Sequence, residues 1–261
     1  MELLYHRMPN KKWYIILDDD TYLVKATLEL MLTHLSPKLP YYLGNAVGDY
    51  RGRFAHGGSG IVISGEAMRR MFSRSDVVAQ SYRDSLDEKY GDKIVATTLQ
   101  KVGVYLDEKY SHYFNGEAPE LARVSADRFC SPILSFHSLR TPSAMADISR
   151  VVRVSTKILA WGDLLDRLGT EESNPDHVAH INEQASLWTD VNDVAKCRSK
   201  CELSNSKTCL AWRFDTQKKQ CYTSSWAVPG AQGETTHVSG FNRDAVERLR
   251  ERCRLGGVAE W

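Results

Sequence analysis

The stretch KKWYIILDDDTYL, residues 11–23, runs from an apolar segment straight into three consecutive aspartates. Residues 12–17 (KWYIIL) are aromatic and β-branched and stop at charge, the pattern of a short buried strand. Adjacent carboxylates repel, and burial raises that cost unless a positive charge lies among them. Alternation along an extended chain sets Asp18 and Asp20 on one side and Asp19 on the other, a D-x-D arrangement. At the carboxyl end of a strand in an α/β sheet such side chains enter the crevice where ligands bind. Hard cations such as Mg²⁺ or Mn²⁺ favour carboxylate oxygens and accept phosphate oxygens as further ligands. The alternative is a turn of solvated aspartates that caps the following helix. These residues alone leave both open.

Working outward, Leu28, Met31, Leu32 and Leu35 recur at helical spacing within residues 22–35, and Ser36-Pro37 closes that helix. A short strand follows at Tyr42-Leu43. GDYRGRFAHGGSG (48–60) reads as a glycine-dense loop and IVIS (61–64) as a second buried strand. Glu66 to Phe72 and Asp92 to Lys101 are helices. SPILSFHSL (131–139) is a strand, and Pro142 opens a helix at its favoured first position. Lys157 to Leu168 is amphipathic, residues 170–186 form a polar linker, and Arg243 to Arg252 is a charged helix. Strands alternate with helices through residue 140, which predicts an α/β layer.

Composition sets outer bounds. The chain has 261 residues, enough for one good core and a second, smaller unit. Lys+Arg (34) and Asp+Glu (33) nearly cancel, so charge offers no case for nucleic acid or an anionic membrane surface. No apolar run approaches the roughly 18 residues that span a bilayer, and Met1-Glu2 opens no signal peptide. Of six cysteines, Cys130 stands apart, while Cys197, Cys201, Cys209, Cys221 and Cys253 crowd the last third. Zinc sites usually carry close CxxC pairs, whereas the spacings here are three, seven and eleven intervening residues, so disulfides and an oxidising compartment are favoured.

Three further stretches could carry chemistry. In FAHGGSGIVIS (54–64), consecutive glycines let backbone N–H groups approach a ligand; GK[ST] is absent, so it is no phosphate-binding P-loop, and a tight turn into a strand is the plain alternative. In YGDKIVATTLQKVGV (90–104), Asp92 stands at a helix start, where capping is the ordinary role. In CSPILSFHSL (130–139), His137 lies on a strand, more often a place for a core histidine than for a ligand. Haloacid-dehalogenase-like phosphatases also use D-x-D behind an apolar strand, with the first aspartate as nucleophile. They usually place Thr or Val four positions after it, where this chain has Tyr22.

Together, DDDTYL, FAHGGSGIVIS, YGDKIVATTLQKVGV, NGEAPE and CSPILSFHSL resemble, in order and over residues 11–140, the fringe-like β-1,3-glycosyltransferases, most nearly the fungal branch. The resemblance implies a partial GT-A-like (Rossmann-like) mixed α/β sheet with flanking helices. It implies that Asp18, Asp20 and His137 hold Mn²⁺ (or Mg²⁺) against the diphosphate of a UDP-sugar, with Asp20 the more direct carboxylate. Asp18 and Asp19 would also face the donor, and Gly57, Gly58, Ser59 and Gly60 would form the loop over the sugar. Asp92 would be the general base for the acceptor hydroxyl, a role worth roughly 10²–10⁴-fold. In-line attack would then invert the anomeric carbon.

The tail CRSKCELSNSKTCLAWRFDTQKKQC (197–221) resembles a PAN/Apple-like module, a small disulfide-rich α+β domain that binds protein or carbohydrate. That pattern implies Cys197–Cys221 and Cys201–Cys209, with Trp212 and Phe214 on a core strand, and gives Cys130 and Cys253 no partner. The expected domains are 1–169 (fringe-like), 170–186 (linker), 187–242 (PAN/Apple-like) and 243–261 (helix and tail). In the family a strand–helix region that cradles the nucleotide base precedes the D-x-D strand, which here starts near residue 12, so an N-terminally incomplete domain is expected. The expected activity is metal-dependent, inverting transfer of a hexose or N-acetylhexosamine from a UDP-sugar to a glycan or glycoprotein hydroxyl in the Golgi or secretory lumen. A full-length relative would carry a type II membrane anchor; this chain has no span. The alternative is a non-catalytic carbohydrate- or protein-binding protein on a transferase remnant.

Overall fold

In a computed structural model of the chain, the described residues are 1–49, 52–155, 158–168, 175–179, 184–203, 209–232 and 235–256. They form two compact units, one from Met1–Glu117 with Ile133–Val154, the other from Ala118–Pro132 with the chain after Ser155.

The first unit begins with helix α1 (Glu2–Arg7), strand β1 (Trp13–Ile16), the short β2 (Tyr22–Leu23) and helix α2 (Lys25–Thr33). Strands β3 (Tyr42–Gly44), β4 (Ala46–Asp49), β5 (Gly52–Ala55) and β6 (Ile61–Ser64) follow, then helices α3 (Gly65–Phe72), α4 (Ser75–Asp84) and α5 (Gly91–Gln100). After β7 (Val124–Ser125), which belongs to the second unit, come β8 (Ser135–Phe136) and helix α6 (Pro142–Arg153).

β6 is central, antiparallel to β1 on one side and β3 on the other. Its Ile61, Val62, Ile63 and Ser64 are all buried, as a strand covered on both faces requires. Ile61 and Ile63 pack with Tyr14, Tyr42, Met68, Met71, Ala96 and Leu99 into a core between sheet and helices. Each such aliphatic burial stabilises by roughly 1.5–3 kcal/mol. Ser64 ends the strand and caps α3: its Oγ accepts from the Ala67 N–H (3.2 Å) and donates to the Leu39 carbonyl (2.7 Å). Thr141 caps α6 in the same way, accepting from the Ala144 N–H ahead of Pro142.

Several local expectations change. β1 is half-buried rather than buried, because successive side chains point to opposite faces and only one is covered: Tyr14 is inside and Ile15 is 38% exposed. The expected helix over 22–35 starts only at Lys25; Tyr22 and Leu23 pair instead with Phe136 and Ser135. Within the SPILSFHSL segment that pairing forms the one named strand, beside an isolated bridge from Pro132 to Ala160. The glycine-dense loop contains the β4–β5 hairpin. α4 has few buried side chains, Val77 and Ser81, which is why no apolar periodicity announced it.

The second unit adds α7 (Leu164–Arg167), β9 (Pro175–Asp176), β10 (Ser186–Trp188), α8 (Val194–Glu202), β11 (Ala211–Asp215), β12 (Gln220–Ser224), β13 (Trp226–Ala227), β14 (Ala231–Gln232), β15 (His237–Phe241) and α9 (Arg243–Gly256). A four-stranded sheet, in the order β10-β12-β11-β15, backs onto α8. Disulfides Cys197–Cys221 and Cys201–Cys209 tie α8 to its surroundings, with Trp212 and Phe214 buried between. Both pairings are those the module pattern implied. Cys130 and Cys253, whose partners the sequence leaves open, form a third disulfide. With the β7–β13 pairing it packs residues 118–132 with this unit. Part of the expected linker is likewise structured: β9 pairs with β14, and the buried Asp176 bonds Arg213 Nη1 at 2.6 Å. The amphipathic stretch ending at Leu168 is a turn of 3₁₀ helix (Trp161–Asp163) followed by α7; Lys157 and the rest of the linker, residues 170–174 and 180–183, lie outside the described residues.

Candidate functional site

The three aspartates leave β1 and enter a turn, with the Thr21 N–H on the Asp18 carbonyl at 3.2 Å. The expectation of a turn is therefore right for the backbone. Capping is not what the turn does: Val24 caps α2, and no side chain bonds that helix end. Two long-range bonds pin the turn instead. Thr21 Oγ1 donates to the Gly58 carbonyl (2.7 Å), and the Leu139 N–H donates to the Asp20 carbonyl (3.0 Å). The β2–β8 register then carries the turn up against His137.

Ligand atoms of Asp18, Asp20 and His137 lie within 4.8 Å of one another, and His137 Nε2 stands 3.5 Å from Asp20 Oδ1. Atoms that share one small divalent cation at about 2.0–2.2 Å stand no more than about 4.4 Å apart, so the donor set needs little closure. The imidazole is oriented for this role. Its Nδ1 sits 3.0 Å from the Gly116 carbonyl, an acceptor only, so Nδ1 carries a hydrogen and Nε2 is the ring nitrogen turned toward the aspartates. A Cβ on Gly58 would fall 2.2 Å from that Nε2, so glycine there keeps the nitrogen accessible. The two carboxylates suit a hard cation such as Mn²⁺ or Mg²⁺, and the imidazole beside them favours the transition metal of that pair. Asp19 is exposed and stands outside this group.

Asp92 is not a cap either. It lies inside the first turn of α5, whose cap position is Tyr90. Its Oδ2 accepts the Gly57 N–H at 3.0 Å, and Oδ1 accepts the Lys93 N–H at 2.9 Å. Gly57 is where base and metal candidates approach one another: a Cβ there would lie 3.6 Å from Asp92 Oδ2 and 3.7 Å from Asp18 Oδ2. The loop itself is a 3₁₀ turn, Gly57–Ser59, closed by Gly60 at φ +86°, a conformation that favours glycine. Ser59 is fully buried and its Oγ donates to the His56 carbonyl at 2.7 Å, so it shapes the loop.

Sequence reasoning assigned no role to His56 or Gly116. The His56 ring meets His137 edge-on, centroids 5.1 Å apart. Burial lowers the His56 pKa, and His137 lowers it further, against the opposing carboxylates of Asp92, Asp18 and Asp20. His56 and Gly116 stand in stretches the motifs include, FAHGGSG and NGEAPE, but only the fold shows that they meet.

The Fringe-like family model matches residues 2–151, more than half of the chain. The chain belongs to the Fringe-like family. A PAN domain model matches residues 175–245 and covers the disulfide-rich sheet. Fringe-like membership implies glycosyltransferase activity. With the disulfides, it also points to the lumen of the secretory pathway. Among the described residues no helix is long and apolar enough to cross a membrane.

Proposed function

We propose that this Fringe-like chain is a metal-dependent, inverting glycosyltransferase of the Golgi or secretory lumen. It moves a hexose or N-acetylhexosamine from a UDP-sugar to a hydroxyl of a glycan or glycoprotein, in a β-1,3 linkage. The observation that carries this reading is the convergence of Asp18, Asp20 and His137 on one side of the Gly57–Gly60 loop, with Asp92 bonded to its first glycine. A divalent cation held there would neutralise charge on the departing nucleoside diphosphate.

The chain's own residues account for the rest. Asp18 and Asp20 hold the cation, and the Gly116 carbonyl fixes His137 in the tautomer that can join them. Asp92 Oδ2 takes the proton of the acceptor hydroxyl, and the Gly57 N–H keeps that oxygen aimed at the loop. A base and a leaving-group site on either side of one sugar correspond to in-line displacement with inversion. The phosphatase alternative asks for a nucleophile at Asp18; the imidazole beside Asp20 and the Asp92 carboxylate bonded to the glycine loop favour transfer. Retention of all four side chains in one place likewise favours an enzyme over a remnant scaffold. The PAN module would supply binding to a protein or glycan.

The test is UDP release from a panel of UDP-hexoses and UDP-N-acetylhexosamines, with candidate acceptors or water, in Mn²⁺. Release that EDTA abolishes and Mn²⁺ restores supports the proposal. Release indifferent to metal, or none from any donor, would overturn it.

A further inference from the structure

The Cys130–Cys253 disulfide differs from the other two in where it lies. Cys197, Cys201, Cys209 and Cys221 are packed into the core of the module, none of them more than 7% exposed. Cys130 and Cys253 are partly exposed, and both line a cavity of about 640 Å³ within the second unit. That volume falls in the ordinary range of small-molecule sites, about 300–1,000 Å³. A disulfide is opened by direct attack of a thiolate on one of its sulfurs, so access decides which bond a small thiol meets first. Of the three bonds, this one offers that access.

The cavity wall carries both signs of charge. Arg250 and Arg254 flank Cys253 along α9, three residues before it and one after, and both line the cavity. Arg250 Nη2 bonds Asp166 Oδ1 at 2.5 Å, and its Nη1 bonds Glu247 Oε2 at 3.2 Å. The Arg254 side chain is 71% exposed and reaches Glu247 Oε1 at only 3.8 Å. On the same wall stand Asp163, with Oδ2 on the Ala160 N–H at 2.9 Å, and Asp166, whose side chain is 62% exposed. Guanidinium groups beside a cysteine stabilise its thiolate and so ease its departure from a disulfide. They also bind carboxylates, as aspartates bind an ammonium group. A thiol that carries carboxylates and an ammonium therefore matches this wall better than a neutral thiol does.

We propose that this cavity binds a small zwitterionic thiol and that Cys130–Cys253 is the bond it exchanges with. The inference goes beyond the transferase reading and does not depend on it. The thiolate attacks one sulfur of the bond, and the S–S electron pair leaves on the other, giving a mixed disulfide and one protein thiolate. A second thiolate attacks the mixed disulfide and carries the first away as a small disulfide. Two thiols are thereby oxidised, one protein disulfide is reduced, and the two thiol protons end on Cys130 and Cys253. The product is a chain in which residues 118–132 are no longer tied to α9, while both disulfides inside the module stay closed.

The experiment treats the whole folded chain, without denaturant, with glutathione or with 2-mercaptoethanol. Samples are quenched with N-ethylmaleimide, and peptide mass spectrometry reads each cysteine. Each rate is divided by that thiol's rate with hydroxyethyl disulfide, which removes intrinsic reactivity. Cys130 and Cys253 should be labelled first, with a glutathione adduct on one of them. The normalised rate for glutathione should exceed that for 2-mercaptoethanol by about 5-fold or more, the scale of one or two exposed ion pairs. Arg254→Gln, at an exposed side chain, should cut that advantage by about 2-fold, and Arg250→Gln combined with it should remove the advantage. Three disulfides that open together, or module disulfides that open first, would overturn the proposal. Equal normalised rates on wild type, or a double variant that keeps the full advantage, would overturn it as well.

Discussion

Gly58 and His137 are in contact so close that a single methyl group would separate them: a Cβ on Gly58 would lie 2.2 Å from His137 Nε2. The ring nitrogen aimed at Asp20 therefore depends on the absence of a side chain in a loop far away in sequence. Gly58→Ala should displace His137 and weaken Mn²⁺ binding by about 10-fold or more, in line with the loss of an oriented ligand. Calorimetry with Mn²⁺ measures this, and unchanged affinity would detach the loop from the cation site.

Asp92→Asn keeps an oxygen for the Gly57 N–H and removes the base. Transfer should fall by roughly 10²–10⁴-fold. Affinity for UDP with Mn²⁺ should stay within about 2-fold, because the proton acceptor contributes to transfer and not to ground-state binding of the nucleotide. Unchanged turnover would take Asp92 out of that role.

The Cys130–Cys253 disulfide closes a loop with a sequence separation of 123 and joins residues 118–132 to α9. Cys130→Ser paired with Cys253→Ser should lower stability by about 2–5 kcal/mol in urea unfolding. The folded, unreduced protein should react with no thiol-alkylating reagent, since all six cysteines are paired.

His177 is 9% exposed, with Nδ1 on the Val228 carbonyl, and burial lowers its pKa from 6.5. A histidine depressed in the folded state binds fewer protons there than in the unfolded chain. Stability should therefore fall as pH drops below about 6.5 toward the folded value. Thermal unfolding between pH 7.5 and 5.5 reads this, and His177→Gln should flatten the decline. A variant that declines as steeply as wild type would exclude His177 as a source.

Much of the site could be read from sequence because its chemistry restricts residue type. Paired aspartates after an apolar strand, a run of glycines, an acid near a helix start and a histidine on a strand each limit the roles available. What sequence left open was orientation. Capping is the ordinary expectation for Asp18–Asp20 and for Asp92, and only tertiary bonds to Gly58, Leu139 and Gly57 bring Asp18, Asp20 and Asp92 to the glycine loop and His137. Ile15 reads as buried because apolar residues continue along β1, yet only the face that Tyr14 occupies is covered. Cys130 and Cys253 could not be matched, since local spacing says nothing of a partner so distant.

The central claim is the cation group of Asp18, Asp20 and His137, and its most direct test is calorimetry of UDP with and without Mn²⁺ on wild type and Asp20→Ala. Wild type should bind UDP only with the metal, and Asp20→Ala should lose that binding by about 10-fold or more. Equal, metal-dependent binding by both proteins would contradict the assignment.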